Sequence, residues 1–130
     1  MANAQHLQPA GMYDSSLRYS HVVKVGNTVY IAGQGASGAN GDFVGKGDFE
    51  AQAHQVLLNL QTAVRAAGGE LSDIVMWKVY VTDRAYGPRL APVRREFLSE
   101  NLPAATLLVV AGLASPDMMI EMDAIAVVGD

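Results

Sequence analysis

The stretch DIVMWKVYVT, Asp73 to Thr82, constrains the fold more than any other part of the chain. Successive side chains of a strand point to opposite faces. Val75, Trp77, Val79 and Val81 therefore make one face, and Ile74, Met76, Lys78, Tyr80 and Thr82 the other. Both faces are largely apolar, which predicts a central strand covered on both sides. The closing run MIEMDAIAVV, Met119 to Val128, has the same character. Its Glu121 and Asp123 sit two apart and share a face.

Two helices are available to cover such a sheet. Asp48 is placed as an N-cap, and Phe49, Ala53, Val56, Leu57, Leu60, Val64 and Ala67 then fall on one stripe until Gly68-Gly69 supply the stop. A second helix is expected within Ala85 to Glu100, with Leu90, Val93, Phe97 and Leu98 inward. Pro88 suits its first turn; Pro92 removes a backbone donor, so the start is either kinked or delayed to about Ala91. SHVVKV and TVYIAGQ read as strands joined by a Gly26-Asn27 hairpin turn. After Pro103, ATLLVVAG and MMIEMDAIAVV read as two more strands, with LASPD turning between them. The order ββ-α-β-α-ββ predicts an α+β domain over residues 19–130, behind an irregular lead-in over residues 1–18. Two helices cover one face of about five strands and leave an apolar face bare, which predicts a closed homo-oligomer.

Composition removes several classes of function. At 130 residues, half of them hydrophobic, the chain is expected to be one packed domain. No apolar run approaches the roughly 20 residues that cross a bilayer, and the N-terminus lacks the pattern of a secretory signal. A cytoplasmic protein without membrane partners is the expectation. The absence of cysteine excludes disulfides, thiolate catalysis and zinc–sulfur sites. Nine basic against thirteen acidic residues argue against nucleic acid as a partner.

Gly33, Gly35 and Gly38 satisfy G-x-G-x-x-G, but the next helix begins about ten residues later, too far to place its N-terminus at a phosphate. A mobile loop is the better reading. His6, His21 and His54 are scattered, no metal site follows from them, and His21 and His54 read as solvated. Arg84, Arg89, Arg94 and Arg95 read as a solvated helix face, with an anion clamp as the functional alternative. Trp77 and Tyr80 read as packing. From composition Glu121 and Asp123 point to water; partial shielding would instead raise a carboxyl pKa and suit it to proton transfer.

YSHVVKVGNTVYIAGQ, AQAHQVLLNLQTAVRAAGG, DIVMWKVYVTD, LPAATLLVV and IEMDAIA, five blocks in order from Tyr19 to Val127, together resemble the YjgF/Rid family of reactive intermediate deaminases. The resemblance implies a chorismate-mutase-like homotrimeric barrel with three ligand clefts between subunits. It implies hydrolysis of an enamine or imine to a keto acid and ammonia, with no metal or organic cofactor. In such clefts an arginine grips the substrate carboxylate and a glutamate positions the water.

Carried over by position, Tyr19, Gly33 and Glu121 match the family pattern. The serine of a Ser-Gly-Gln segment is Ala32, the helical asparagine is Ala91, the arginine is Ala105, and the small residue two further on is Leu107, with Thr106 between them. The expected site is thus Glu121 as the catalytic carboxylate, with Tyr19, Ala32, Gly33, Ala91, Ala105, Thr106 and Leu107 around the ligand. Arg89 and Arg18 are the substitute anchors nearest in sequence. Loss of the arginine predicts weak 2-imino-acid deamination and a less acidic, more apolar small-molecule ligand. The alternative is a binding or regulatory protein that uses the same cleft without turnover. A third reading, ribonuclease activity, is disfavoured by the acidic balance.

Overall fold

The computed structural model describes residues 3–129. Its strands are β1 (Ala4–Leu7), β2 (Val22–Val25), β3 (Thr28–Gln34), β4 (Ile74–Val81), β5 (Ala104–Val109) and β6 (Ile120–Val127); its helices are α1 (Phe49–Ala66) and α2 (Tyr86–Arg95). They form one mixed sheet in the order β1-β2-β3-β6-β4-β5. Every pairing is antiparallel except β4 with β5, whose parallel register requires the α2 crossover. Both helices lie on one face, α1 against β3 and β6, and α2 against α1.

Helix α1 forms as its sequence dictates. The Asp48 carboxylate accepts from Ala51 N at 3.1 Å, and Gly68, at φ +93°, ends the helix. Phe49, Ala53, Val56, Leu57, Leu60 and Val64 are wholly buried against Val29, Ile31, Met122, Ala124 and Ala126 of the sheet. Burying each large side chain contributes on the order of 1.5–3 kcal/mol. Helix α2 begins at Tyr86 and carries Pro92 inside it, so its start is not delayed to Ala91. Leu90 and Val93 bury themselves, and Leu98 follows in the turn beyond the helix.

Three local expectations are corrected. In β4 the register shifts between Ile74 and Met76. This bulge puts Ile74 with Trp77, Val79 and Val81 on the buried face, while Val75 is left 48% exposed. The lead-in contains β1, whose exposed residues show no apolar alternation; it forms through main-chain pairing with the free edge of β2, giving six strands rather than five. The glycine-rich loop is tied down rather than loose. Buried Asn59 donates to Gly35 O and Ser37 O at 3.1 and 2.9 Å, and buried Gln52 donates to Gly45 O at 3.0 Å.

The opposite face of the sheet carries no helix. Tyr30, Met76, Leu108 and Val127 are exposed there, beside Glu121 and Asp123. Among the described residues no helix is long and apolar enough to cross a membrane.

Candidate functional site

Glu121 lies in the middle of the sheet, on β6 between β3 and β4, and its side chain leaves the bare face. On the β3 side the register slips between Ile31 and Gln34, at Ala32-Gly33. The slip and the missing Cβ of Gly33 open the space that the Glu121 carboxyl group occupies. Around it is a cavity of about 420 Å³, walled by Tyr13, Arg18, Tyr19, Ala32 and Gly33. The structure thus brings together five of the ligand-site candidates: Arg18, Tyr19, Ala32, Gly33 and Glu121.

The tyrosine walls are held from beneath by His21. This histidine is wholly buried, contrary to its reading as solvated, because it is sealed by two aromatic rings. Tyr13 and Tyr19 meet it edge-on, with centroids 4.8 and 5.5 Å away. Gln34 Nε2 donates to Ala32 O at 3.1 Å and to His21 Nδ1 at 3.1 Å. Nδ1 therefore accepts, and His21 Nε2 carries the proton that it donates to Tyr13 O at 2.8 Å. Ser15 and Gln8 donate to Tyr19 O at 2.9 and 2.8 Å, closing the segment onto the sheet. His54, by contrast, is exposed and tilts against Phe97.

Electrostatics set Glu121 apart. Burial, with the neighbouring charge of Asp123 adding to it, pushes its carboxyl group above the usual range. Asp123 is half-buried rather than free in water and accepts from the Tyr80 hydroxyl at 2.8 Å; that bond in turn raises the Tyr80 phenol. Trp77 is buried on the other face, as packing requires.

Ala91, Ala105, Thr106 and Leu107 line a different cavity, of about 200 Å³, between α2 and the β4–β5 edge. Register explains the separation. Ala105 pairs with Trp77 and Leu107 with Val79, so both face the helix layer, away from Glu121. Arg89 lines neither cavity. Its guanidinium forks onto Glu50 at 2.7 and 2.7 Å and lies 5.4 Å from the ring centroids of Phe49 and Tyr86. It holds the Glu50 carboxyl group down at about 2. The charged residue that does line the α2 cavity is Arg94.

A third cavity, of about 570 Å³, sits at the end of the sheet beside Thr82, Tyr86 and Asp117. Its carboxylate faces Lys46 at 3.9 Å. Among the described residues no group of three His, Asp or Glu could hold a metal ion.

Sequence reasoning missed Tyr13, Gln34, Gln52 and Asn59. The two α1 amides carried a signal, since positions 52 and 59 fall at helical spacing on the apolar stripe with Val56. Tyr13, inside an aperiodic segment, carried none.

The family model described as Endoribonuclease L-PSP matches residues 12–128. The chain is 32% identical over 118 residues to the 3-aminoacrylate deaminase RutC of Acinetobacter baylyi, covering 91% of this chain and 93% of the relative. It is 30% identical over 110 residues to the 2-iminobutanoate/2-iminopropanoate deaminase of Dermatophagoides farinae, covering 85% of each. Among solved structures, RidA from an Antarctic Psychrobacter bacterium superposes with a TM-score of 0.88 at 35% identity, over 95% of this chain and 99% of that one.

Proposed function

The chain belongs to the YjgF/Rid family, and from that premise we propose that it works as a homotrimer with a small-molecule site where subunits meet. There Glu121 assists a water or a proton transfer on an enamine, an imine or a related carbonyl metabolite, without a cofactor. One observation carries the reading. Glu121 is half-buried beside a cavity, with its pKa raised, in a notch made by a register slip and a glycine. A carboxyl group brought toward neutrality accepts and returns a proton more effectively than one left in water.

The trimer accounts for two further features. It would cover the apolar sheet face that carries Tyr30, Met76, Leu108 and Val127. It would also allow the Glu121 cavity of one subunit to meet the Ala105 cavity of another, which one chain holds on opposite sides of its sheet. The names of the two deaminase relatives support the reaction class. Ala105 offers no cation from β5, and a buried arginine–carboxylate contact is worth about 2–5 kcal/mol. Ordinary 2-imino-acid deamination should accordingly be slow, by some 30- to several-thousand-fold, and the preferred compound should be more apolar.

The test is Glu121→Gln. Turnover of the preferred imine or enamine should fall by about a hundredfold or more, in line with loss of a positioned acid–base group, while the protein stays folded and trimeric by light scattering. Full activity in this variant removes Glu121 from the reaction. Ligand retention without conversion in the wild-type protein would instead mark a binding protein.

A further inference from the structure

We infer that Met118 sets the length of the compound that the Glu121 cavity accepts, its side chain being the partition between that cavity and the larger one at the end of the sheet. The inference rests on the proposed small-molecule site and adds a specificity-determining residue to it.

Among the described residues only Met118 lines both cavities, of about 420 and 570 Å³. Its side chain has a built seat. A Cβ on Gly35 would lie 2.7 Å from Met118 Cε, so the gap at Gly35 receives the Met118 methyl group, as the gap at Gly33 receives the Glu121 carboxyl group. The main chain on either side is pinned. Met118 N donates to Ser115 O at 3.1 Å, and Thr82 N donates to Met119 O at 3.2 Å. Gln52 donates to Asp117 O at 3.0 Å and accepts from Met119 N at 2.8 Å. A fixed backbone thus carries a half-buried, unbranched thioether with three rotatable bonds.

Chemistry and position define what Met118 does. A thioether carries no charge and donates no proton, so it takes no part in the reaction at Glu121 and meets the other end of the compound. To an apolar tail it offers a polarisable surface. A tail that stops short of Met118 gains that contact; a longer one must lift the methyl group from Gly35 and forfeit the packing there. Room lies beyond, since Tyr86, Leu113 and Met119 line the larger cavity. Ala114, which lines the Glu121 cavity from the loop between β5 and β6, is too short to divide the two. Met118 therefore selects on length, whatever the charge of the compound.

Straight-chain primary amides from propanamide to octanamide are titrated into the full-length protein. Each is uncharged, with a planar carbonyl head and an apolar tail. Carbon-13 labelling of the methionine methyl groups supplies two reporters: Met118 senses both cavities, and Met119 the larger one alone. In the wild type, affinity by ligand-observed NMR should rise about fourfold for each methylene group buried. The rise should stop at the amide whose terminal methyl group shows a nuclear Overhauser contact with the Met118 methyl group, and Met119 should not shift. In Met118→Ala the rise should continue through octanamide, and the longest amides should shift Met119. Met118→Leu, which keeps an apolar side chain of similar size, should restore the wild-type limit. If Met118→Ala does not fold, the Overhauser contact in the wild type and a limit displaced by Gly35→Ala, which unseats the methyl group, decide the question. The same limit with and without the Met118 side chain, no Overhauser contact with Met118, or no binding by any amide would each overturn the inference. Turnover by Glu121→Gln is read separately. Full activity there, with the length limit abolished in Met118→Ala, sinks the catalytic proposal and leaves the partition standing.

Discussion

Gly33 lies directly beneath the Glu121 carboxyl group: a Cβ on Gly33 would sit 3.0 Å from Glu121 Cδ and closer still to Oε2. Gly33→Ala should therefore swing the carboxyl group out of its notch. The displaced atoms are the far end of a flexible side chain, so stability should change by no more than about 1 kcal/mol. Turnover should fall at least about tenfold, the scale on which a small misplacement acts. Thermal melting and kcat/KM measured together check this. Unchanged kinetics would show that Glu121 does not act from its observed position.

Glu121 also gives stability a definite pH dependence. Its folded pKa is raised above the ordinary 4.5, so the folded protein favours the protonated form. Below 4.5 that preference contributes in full; as pH climbs through the folded value it is lost, and the ionised group then weighs against the fold. Glu121→Gln escapes the loss. The stability advantage of the variant should grow as pH rises from 4 to 8, in urea denaturation series, and then level off. A difference that shrinks over this window contradicts a raised pKa.

Asp123 is the second cause of that raised value, and Tyr80 holds it in place at 2.8 Å. Asp123→Asn removes the like charge, so the carboxyl titration of Glu121, followed by carbon NMR, should move down toward its ordinary value. Tyr80→Phe should cost about 1 kcal/mol, the scale of one hydrogen bond, and leave the charge of Asp123 in place. A Glu121 titration unmoved by Asp123→Asn would leave burial as the sole cause.

Gln52 is a structural clamp that joins α1 to the loops before it and before β6. Wholly buried, it donates to Gly45 O and Asp117 O at 3.0 Å and accepts from Met119 N at 2.8 Å. Gln52→Met would strand three main-chain groups, at roughly 1–3 kcal/mol each where water cannot replace the amide. Urea denaturation should show a loss on the order of 3 kcal/mol, and exchange of the Met119 amide should accelerate. Wild-type stability in Gln52→Met would mean that the loops find other partners.

Much of this protein is legible along the chain. The stripe from Phe49 to Ala67, the Asp48 cap and the Gly68 stop specify α1, because each acts within a few residues of sequence. The two-faced apolar strands predict a sheet with one face helix-covered and the other bare, since period-two alternation is local too. What one sequence cannot carry is register. The bulge at Ile74–Met76, which reverses the expected faces at the start of β4, depends on how β4 meets β6. The slip at Ala32-Gly33, which makes room for Glu121, depends on how β3 meets the same strand. The burial of His21 required two tyrosines from an aperiodic segment to close over it. The roles of the arginines were decided in the same way. Arg89 and Arg94 stand five residues apart on one short helix, and nothing local distinguishes them. Tertiary packing sets Glu50 against the first and places the second at the lining of the cavity between α2 and β5. A charge pairs with whatever the fold brings within a few ångströms, and that distance is not written in the order of the residues.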